Sequence, residues 1–167
     1  MLILEEHLSP SLAGPDRGSS ASRKLVESFE ESGRPCVGVF PVEMSEVSNY
    51  GVVQLKGKEI SDIVEKPLKS EAPSKYVLCG RYLFPRETKT ILGKYPISEF
   101  GELQSIFLMR DLIGSQGLDA VKLDRMSMYD SGDPLIWLKS QIDHALRRED
   151  FRDGLAEWFQ DKMKDIG

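Results

Sequence analysis

The chain has 167 residues, of which 40% are hydrophobic and 29% are charged, and its formal net charge is -5. These values predict a single globular domain over residues 1–167 and exclude a disordered or collagen-like chain; no apolar run approaches the ~20 residues of a membrane helix. The acidic balance argues against nucleic-acid binding, and the opening MLILEE is too short and acidic for a signal peptide, so we expect a cytoplasmic protein.

The first segments predict a loop and a helix. Residues 9–22 are crowded with Pro, Gly and Ser, which predicts a flexible surface loop. Leu25, Val26 and Phe29 then recur at helical spacing, and Gly33 is a natural residue for ending that helix. A short amphipathic helix therefore follows the loop.

A series of strands comes next. The apolar run at residues 36–42 predicts a strand that is covered on both faces. Residues 49–64 predict a hairpin that ends in Glu65-Lys66-Pro67, and Pro67 should end the strand because proline cannot donate to a strand ladder. Residues 76–84 predict a further strand.

The second half of the chain returns to helices. Pro85 fits the first turn of a short helix, and residues 98–114 carry apolar side chains at helical spacing. A mixed strand is predicted at residues 120–128. Pro134 can begin another helix, and residues 149–167 predict a C-terminal helix.

The two cysteines, Cys36 and Cys79, lie in apolar, strand-like runs. Buried, reduced thiols are therefore a better interpretation than a disulfide or a metal site. The two histidines, His7 and His144, complete no zinc-binding spacing.

Three motifs occur in a fixed order: YGVV at residues 50–53, VEKP at 64–67 and YDSGD at 129–133. Between them lie EAPS at 71–74, GRY at 80–82 and GELQ at 101–104. Together they resemble the bacterial UTP-glucose-1-phosphate uridylyltransferases of the sugar nucleotidyltransferase superfamily. The resemblance covers nearly the whole chain.

This resemblance implies an α/β, Rossmann-like nucleotidyltransferase fold, with a mixed, largely parallel sheet and helices on both faces. It implies transfer of UMP from UTP to glucose-1-phosphate, which gives UDP-glucose and pyrophosphate, with Mg2+ as cofactor. The family's glycine-rich G-x-G-T-R loop has no counterpart in this sequence. We therefore expect an N-terminally incomplete fold that is not self-sufficient as a catalyst.

By resemblance, Lys66 pairs with the sugar phosphate and is a catalytic residue, and Glu65 accepts hydrogen bonds from sugar hydroxyls. A solvated lysine and a local ion pair are the structural alternatives. Adjacent strand residues point to opposite faces, so Glu65 and Lys66 can share one ligand only if the strand twists or breaks at Pro67.

The other substrate-binding residues implied are Tyr50, Gly51, Gly80 and Gln104. Gly51 would let the backbone approach the sugar, although a glycine there is equally a bulge or turn, and Tyr50 could be a core residue. Gln104 belongs to the GELQ run, but Phe107 stands where the family usually has an aspartate.

Asp130 is the clearest metal candidate and is also assigned a catalytic role, because its carboxylate lies at a sharp turn before a helix. The alternative is an aspartate that bonds its own turn. Glu5 stands where the family has a second metal-binding aspartate, and its longer side chain fits Mg2+ geometry poorly. Asp133 is assigned to the helix N-cap instead.

Two further functions stay open beside an enzyme: a non-catalytic module that binds nucleotide-sugar or sugar phosphate, and an interaction subunit. A sheet without the family's N-terminal strands would expose an edge and apolar helix faces, so we expect a homo-oligomer or a complementary chain. Trp137 and Trp158 are interpreted as core or interface anchors.

Overall fold

A computed structural model describes residues 20–93, 105–124 and 126–166. These residues form two compact units, one reaching to Met126 and the other beginning at Ser127. The single domain over residues 1–167 stays a prediction. Within the described ranges, no helix is long and apolar enough to cross a membrane; the cytoplasmic location also stays a prediction.

The described residues of the first unit form three α-helices, a short 3-10 helix (Val47–Asn49) and five strands. The helices are α1 (Ala21–Ser32), α2 (Thr88–Leu92) and α3 (Ser105–Ser115). The strands are β1 (Cys36–Pro41), β2 (Gly51–Lys56), β3 (Glu59–Glu65), β4 (Tyr76–Leu83) and β5 (Asp119–Lys122).

Helix α1 begins earlier than the sequence predicts. The Ser20 hydroxyl accepts a hydrogen bond from the Arg23 N–H at 3.2 Å, which caps the helix, and Ala21 is buried. The predicted loop is therefore wrong for residues 21 and 22, while residues 9–19 lie outside the described part of the chain. Gly33 ends the helix as predicted, with φ 67° and its N–H donating to the Phe29 carbonyl.

The sheet is mixed, which confirms the α/β class, but the expectation that it is largely parallel is wrong for the described strands. Only β1–β5 is a parallel pair, whereas β1–β4, β2–β3, β2–β4 and β3–β5 are antiparallel. A parallel pair needs a long crossover, and β2 turns directly into β3 at Gly57, whose φ is 66°.

Each described strand has two neighbours, so the expected bare edge is absent among them. The closure of the sheet depends on few backbone pairs, because β2–β4 and β3–β5 pair through one residue pair each. Strand β5 also ends at Lys122, well before the predicted end of the strand at residue 128.

Helices cover both faces of the sheet, as the resemblance implies. Cys36 and Leu83 pack with Leu25 of α1. Val37 and Val39, which alternate with Cys36 along β1, belong instead to the main core with α3. This alternation explains why β1 has a nearly continuous apolar sequence.

The carboxylate of Asp119 is fully buried where β5 meets the β2–β3 hairpin. Its Oδ2 lies 3.0 Å from Lys58 Nζ and its Oδ1 lies 3.4 Å from Arg34 Nε. Backbone bonds flank this pair: the Ala120 N–H donates to the Lys58 carbonyl at 2.7 Å, and the Ile60 N–H donates to the Leu118 carbonyl at 2.8 Å. The ion pairs therefore secure the narrow β3–β5 closure.

Both cysteines are free and buried, as predicted. The Cys36 thiol donates to the Leu25 carbonyl at 3.3 Å, and the Cys79 thiol donates to the Gly38 carbonyl at 3.2 Å. Burial raises the pKa of each thiol to about 11, so both are protonated at neutral pH.

The second unit contains α4 (Pro134–Leu146) and α5 (Glu149–Ile166), which confirms the C-terminal helix. Asp133 caps α4 as predicted: its Oδ1 accepts from the N–H groups of Leu135 and Ile136 at 2.8 and 2.9 Å. Before that cap, the Tyr129 hydroxyl donates to Asp143, and this hydrogen bond raises the pKa of the tyrosine.

Trp137 and Trp158 are 49% and 53% exposed, so the expectation that they are core residues is wrong. Their role as interface anchors stays a prediction.

Replacing the buried carboxylate should weaken the closure of the sheet. We expect Asp119→Asn to lower the free energy of unfolding by about 1–2 kcal/mol, because it removes both ion pairs while Lys58 stays exposed and Arg34 keeps its pair with Glu59. Glu59→Gln is the matched control, since the Glu59 side chain is 48% exposed and its pair with Arg34 should contribute within about 0.5 kcal/mol. Urea unfolding measures both, and equal losses in the two variants would contradict the role of Asp119.

Candidate functional site

Among the described residues other than glycine, only Lys66 has a left-handed backbone conformation. Its φ is 45°. Strand β3 ends at Glu65, and the Lys66 N–H then donates to the Tyr50 carbonyl at 3.0 Å. The regular alternation of a strand stops at this point, so Glu65 and Lys66 are not forced onto opposite faces. Strand β3 therefore breaks at Lys66, one residue before Pro67. Such a break is what Glu65 and Lys66 need in order to share one ligand.

Gly51 and Glu65 face each other across the β2–β3 pair. A Cβ on Gly51 would lie 3.0 Å from Oε2 of Glu65 and 3.1 Å from Cδ1 of Leu78, closer than ordinary contact. Because glycine has no side chain, the carboxylate can lie directly over the backbone of β2. The buried Gly51 therefore supports an exposed carboxylate beside an exposed lysine.

The structure therefore brings four of the predicted site residues together: Tyr50, Gly51, Glu65 and Lys66. The Glu65 carboxylate is an acceptor-only group, and the Lys66 ammonium carries three donors and a positive charge. Such a pair of groups can hold a molecule that has hydroxyls at one end and an anion at the other.

Gly80 lies at an irregularity of β4. Val37 pairs with Tyr82 and Val39 pairs with Leu78, so β4 has two extra residues here, and Gly80 adopts φ 68°. The bulge is two residues from Leu78, the side chain that approaches Gly51. The left-handed backbone accounts for a glycine at this position, and direct contact of Gly80 with substrate stays a prediction.

Arg110 was not predicted to lie near the site. Its Nη2 donates to the Ile63 carbonyl at 2.9 Å, which ties α3 to β3 two residues before Glu65. The signal in the sequence is a charged residue at helical spacing with the apolar residues Ile106 and Ile113.

Asp130 lies in the second unit and is half-buried. Its Oδ1 accepts from the Gly132 N–H at 2.8 Å, so the turn-forming alternative is realised. Among the described residues, no group of three or more His, Cys, Asp or Glu side chains could hold a metal ion. Asp130 offers one carboxylate, which suits Mg2+ only with ligands from elsewhere. Glu5 and Gln104 lie outside the described residues, so their assignments stay predictions.

Comparison with known proteins identifies a family model and several relatives. The nucleotidyl transferase family model matches residues 17–119. The UTP-glucose-1-phosphate uridylyltransferase YngB of Bacillus subtilis is 30% identical over 149 residues, which are 86% of this chain and 50% of that protein. A UTP-glucose-1-phosphate uridylyltransferase of Streptococcus pneumoniae is 30% identical over 151 residues, 87% of this chain and 50% of the relative.

Solved structures show the same fold. The UTP-bound UGPase of Acinetobacter baumannii has a TM-score of 0.76 at 21% identity, covering 92% of this chain and 54% of its own. A UDP-glucose pyrophosphorylase complexed with UDP-glucose has a TM-score of 0.66 at 23% identity, covering 80% of this chain and 52% of its own. The chain spans about half the length of the curated relatives it matches.

The left-handed backbone at Lys66 predicts an unusual order of stabilities. We expect Lys66→Gly to unfold with a free energy about 1 kcal/mol higher than that of Lys66→Ala, because alanine keeps a Cβ in the left-handed region and glycine has none. At Lys69, where φ is not positive, glycine should be no more stable than alanine. Chemical denaturation of the four variants measures this, and a more stable Lys66→Ala would contradict the assigned backbone.

Proposed function

The chain belongs to the nucleotidyl transferase family, and we propose that it binds glucose-1-phosphate in the reaction of the UTP-glucose-1-phosphate uridylyltransferases. The observation that carries this proposal is the arrangement at the end of β3. There a lysine in a left-handed conformation follows a carboxylate that lies over a glycine. A backbone conformation that costs free energy and places a charged group at a surface is typical of a binding site.

Lys66 is proposed to bind the phosphate of glucose-1-phosphate. An ammonium group on a flexible stem suits a phosphate oxygen, and a charge-assisted hydrogen bond is stronger than a neutral one. The exposed position leaves the ammonium accessible to a ligand from solvent. The hydrogen bond from the Lys66 N–H to Tyr50 fixes the start of the side chain relative to β2.

Glu65 is proposed to bind sugar hydroxyls, with Gly51 below it and Tyr50 beside it. The carboxylate has several acceptor positions, which matches the many donors of a hexose. A side chain at position 51 would push the carboxylate away from β2. The pair of glycine and glutamate therefore supports a sugar site next to the phosphate site.

In the proposed reaction, a phosphate oxygen of glucose-1-phosphate attacks the α-phosphorus of UTP. The bond from that phosphorus to the bridging oxygen of the β-phosphate breaks, and pyrophosphate leaves. Phosphoryl transfer of this kind depends mainly on positioning and charge stabilisation. Lys66 and Glu65 would contribute by holding and orienting the sugar phosphate.

We also propose that Mg2+ is the cofactor, with Asp130 and Glu5 as its protein ligands. When bound, Mg2+ would neutralise phosphate charge in the reaction. Oδ1 of Asp130 already accepts from the Gly132 N–H, so we assign its second carboxylate oxygen, Oδ2, to the metal. UTP and UDP-glucose are the further ligands proposed by likeness to the relatives.

A binding module without catalysis is the second candidate. The sequence contains no G-x-G-T-R run to hold a nucleotide triphosphate, whereas the residues proposed for the sugar phosphate are present. This combination favours recognition of a sugar phosphate or nucleotide-sugar over complete catalysis by these 167 residues alone.

Association with a second copy or a complementary chain is proposed from the apolar surface of the second unit. Leu135, Trp137, Phe151, Trp158 and Met163 are each close to half exposed or more. Exposed apolar groups of this size favour a protein contact. We expect light scattering at micromolar concentration to give at least twice the chain mass, and a single-chain mass would contradict self-association.

Calorimetric titration tests the sugar-phosphate site. We expect glucose-1-phosphate to bind the purified chain, and Lys66→Ala to weaken that binding about tenfold or more, because a charged hydrogen bond is lost. Lys69→Ala is the matched control, since Lys69 is exposed and lies three residues further along. The same titration with UDP-glucose, with and without Mg2+, reports on the metal, whose effect should disappear in Asp130→Asn.

Two results would contradict the proposal. Equal affinity in Lys66→Ala and the unaltered chain would show that Lys66 does not bind the phosphate. A folded chain that binds neither ligand would favour the interaction-subunit alternative.

A further inference from the structure

The segment between β3 and β4 must cross β2. Both strands run antiparallel to β2 and lie on its two sides. The crossing segment, residues 66–75, starts with Lys66, whose N–H is bonded to the Tyr50 carbonyl. The crossing segment therefore begins at a residue whose backbone is held beside the start of β2.

The far end of the crossing segment is attached to the same strand by one side chain. The Ser74 hydroxyl donates to the Val53 carbonyl at 2.7 Å and accepts from the Tyr76 N–H at 3.0 Å. Backbone pairing between β2 and β4 consists of Val52 with Val77. The serine hydroxyl thus connects Val53 to Tyr76, where the next backbone pair between these two strands would lie.

The middle of the crossing segment has little other support. Residues 68–71 are exposed, and within them the Glu71 N–H closes a turn on the Leu68 carbonyl at 2.9 Å. Pro67 and Pro73 restrict the backbone near both ends. At the far end, the Lys75 carbonyl also accepts from the Val42 N–H at 3.0 Å, so Ser74 shares the attachment of that end. A segment restricted at both ends transmits a change at one end to the other.

We propose that Ser74 is a positioning residue for sugar-phosphate binding. Its hydroxyl holds the crossing segment against β2, and the segment in turn keeps Lys66 in its left-handed conformation with the ammonium aimed at the phosphate. This inference rests on the proposed function. It also gives the EAPS motif, which otherwise has no role in the site, a physical purpose.

Two variants separate the hydroxyl from the size of the side chain. Ser74→Ala removes both hydrogen bonds, and Ser74→Thr keeps a hydroxyl on the same carbon. We expect Ser74→Ala to weaken glucose-1-phosphate binding about fivefold to tenfold and Ser74→Thr to stay within about twofold of the unaltered chain. Ser70→Ala, an exposed serine of the same segment, is the control and should leave the affinity unchanged.

A double-mutant cycle tests whether Ser74 acts through Lys66. If it does, Ser74→Ala should have little further effect on affinity in a Lys66→Ala background. An equal weakening in both backgrounds would overturn the proposal, because Ser74 would then act on stability or on another part of the site. An unchanged affinity in Ser74→Ala alone would also overturn it.

Hydrogen exchange provides a readout that needs no ligand. The Lys66 amide is bonded to Tyr50 and not to Ser74, so its exchange reports on the remote end of the crossing segment. We expect Ser74→Ala to speed this exchange about tenfold while Ser70→Ala leaves it unchanged. If glucose-1-phosphate fails to bind the unaltered chain, the proposed function is contradicted. Faster exchange then still supports the mechanical link from Ser74 to Lys66, and unchanged exchange overturns it.

Discussion

The buried carboxylate of Asp119 is the interaction on which the first unit depends. It lies at the one residue pair that joins β3 to β5 and meets cations from two other parts of the chain, Arg34 and Lys58. A buried carboxylate needs such partners, because leaving water costs several kcal/mol per ion. Gly117 shows how tightly the cation is packed: a Cβ there would lie 1.8 Å from Nη2 of Arg34. Where β3 meets β5, ion pairs therefore take the place of a long series of backbone hydrogen bonds.

The same constraint extends to the candidate site through β3. The strand is held at its first residue by the pairing of Glu59 with Asp119 and at its last by the pairing of Glu65 with Gly51. Between these ends, Arg110 binds the Ile63 carbonyl from α3. Strand β3 also pairs with β2 along its length, from Glu59 to Glu65. Held in this way, β3 can bring Glu65 to a defined position and can hold Lys66 in a conformation that costs about 1–2 kcal/mol. Rigid support and local strain occur together here, as expected where strain serves binding.

Much of the first unit followed from local patterns. The Gly33 cap, the hairpin around Gly57 and the buried thiols depend on residues close in sequence, and each is confirmed. The expectation of a largely parallel sheet failed because strand direction depends on how segments connect in space. A second prediction failed at the start of α1. The polar run at residues 9–22 predicts a loop, but Ser20 caps the helix. Composition alone did not distinguish it from its neighbours.

The sequence by itself determined which chemical groups are present: a carboxylate and an ammonium at 65 and 66, a glycine at 51, and a turn-forming aspartate at 130. Their order along the chain was enough to indicate the family. Only the tertiary structure decided that Gly51 lies under the Glu65 carboxylate and that Lys66 leaves the strand in a left-handed conformation. Both depend on hydrogen bonds between residues 14 or more positions apart, across β2 and β3. Local periodicity carries no information about such contacts, because they exist only once the strands have paired.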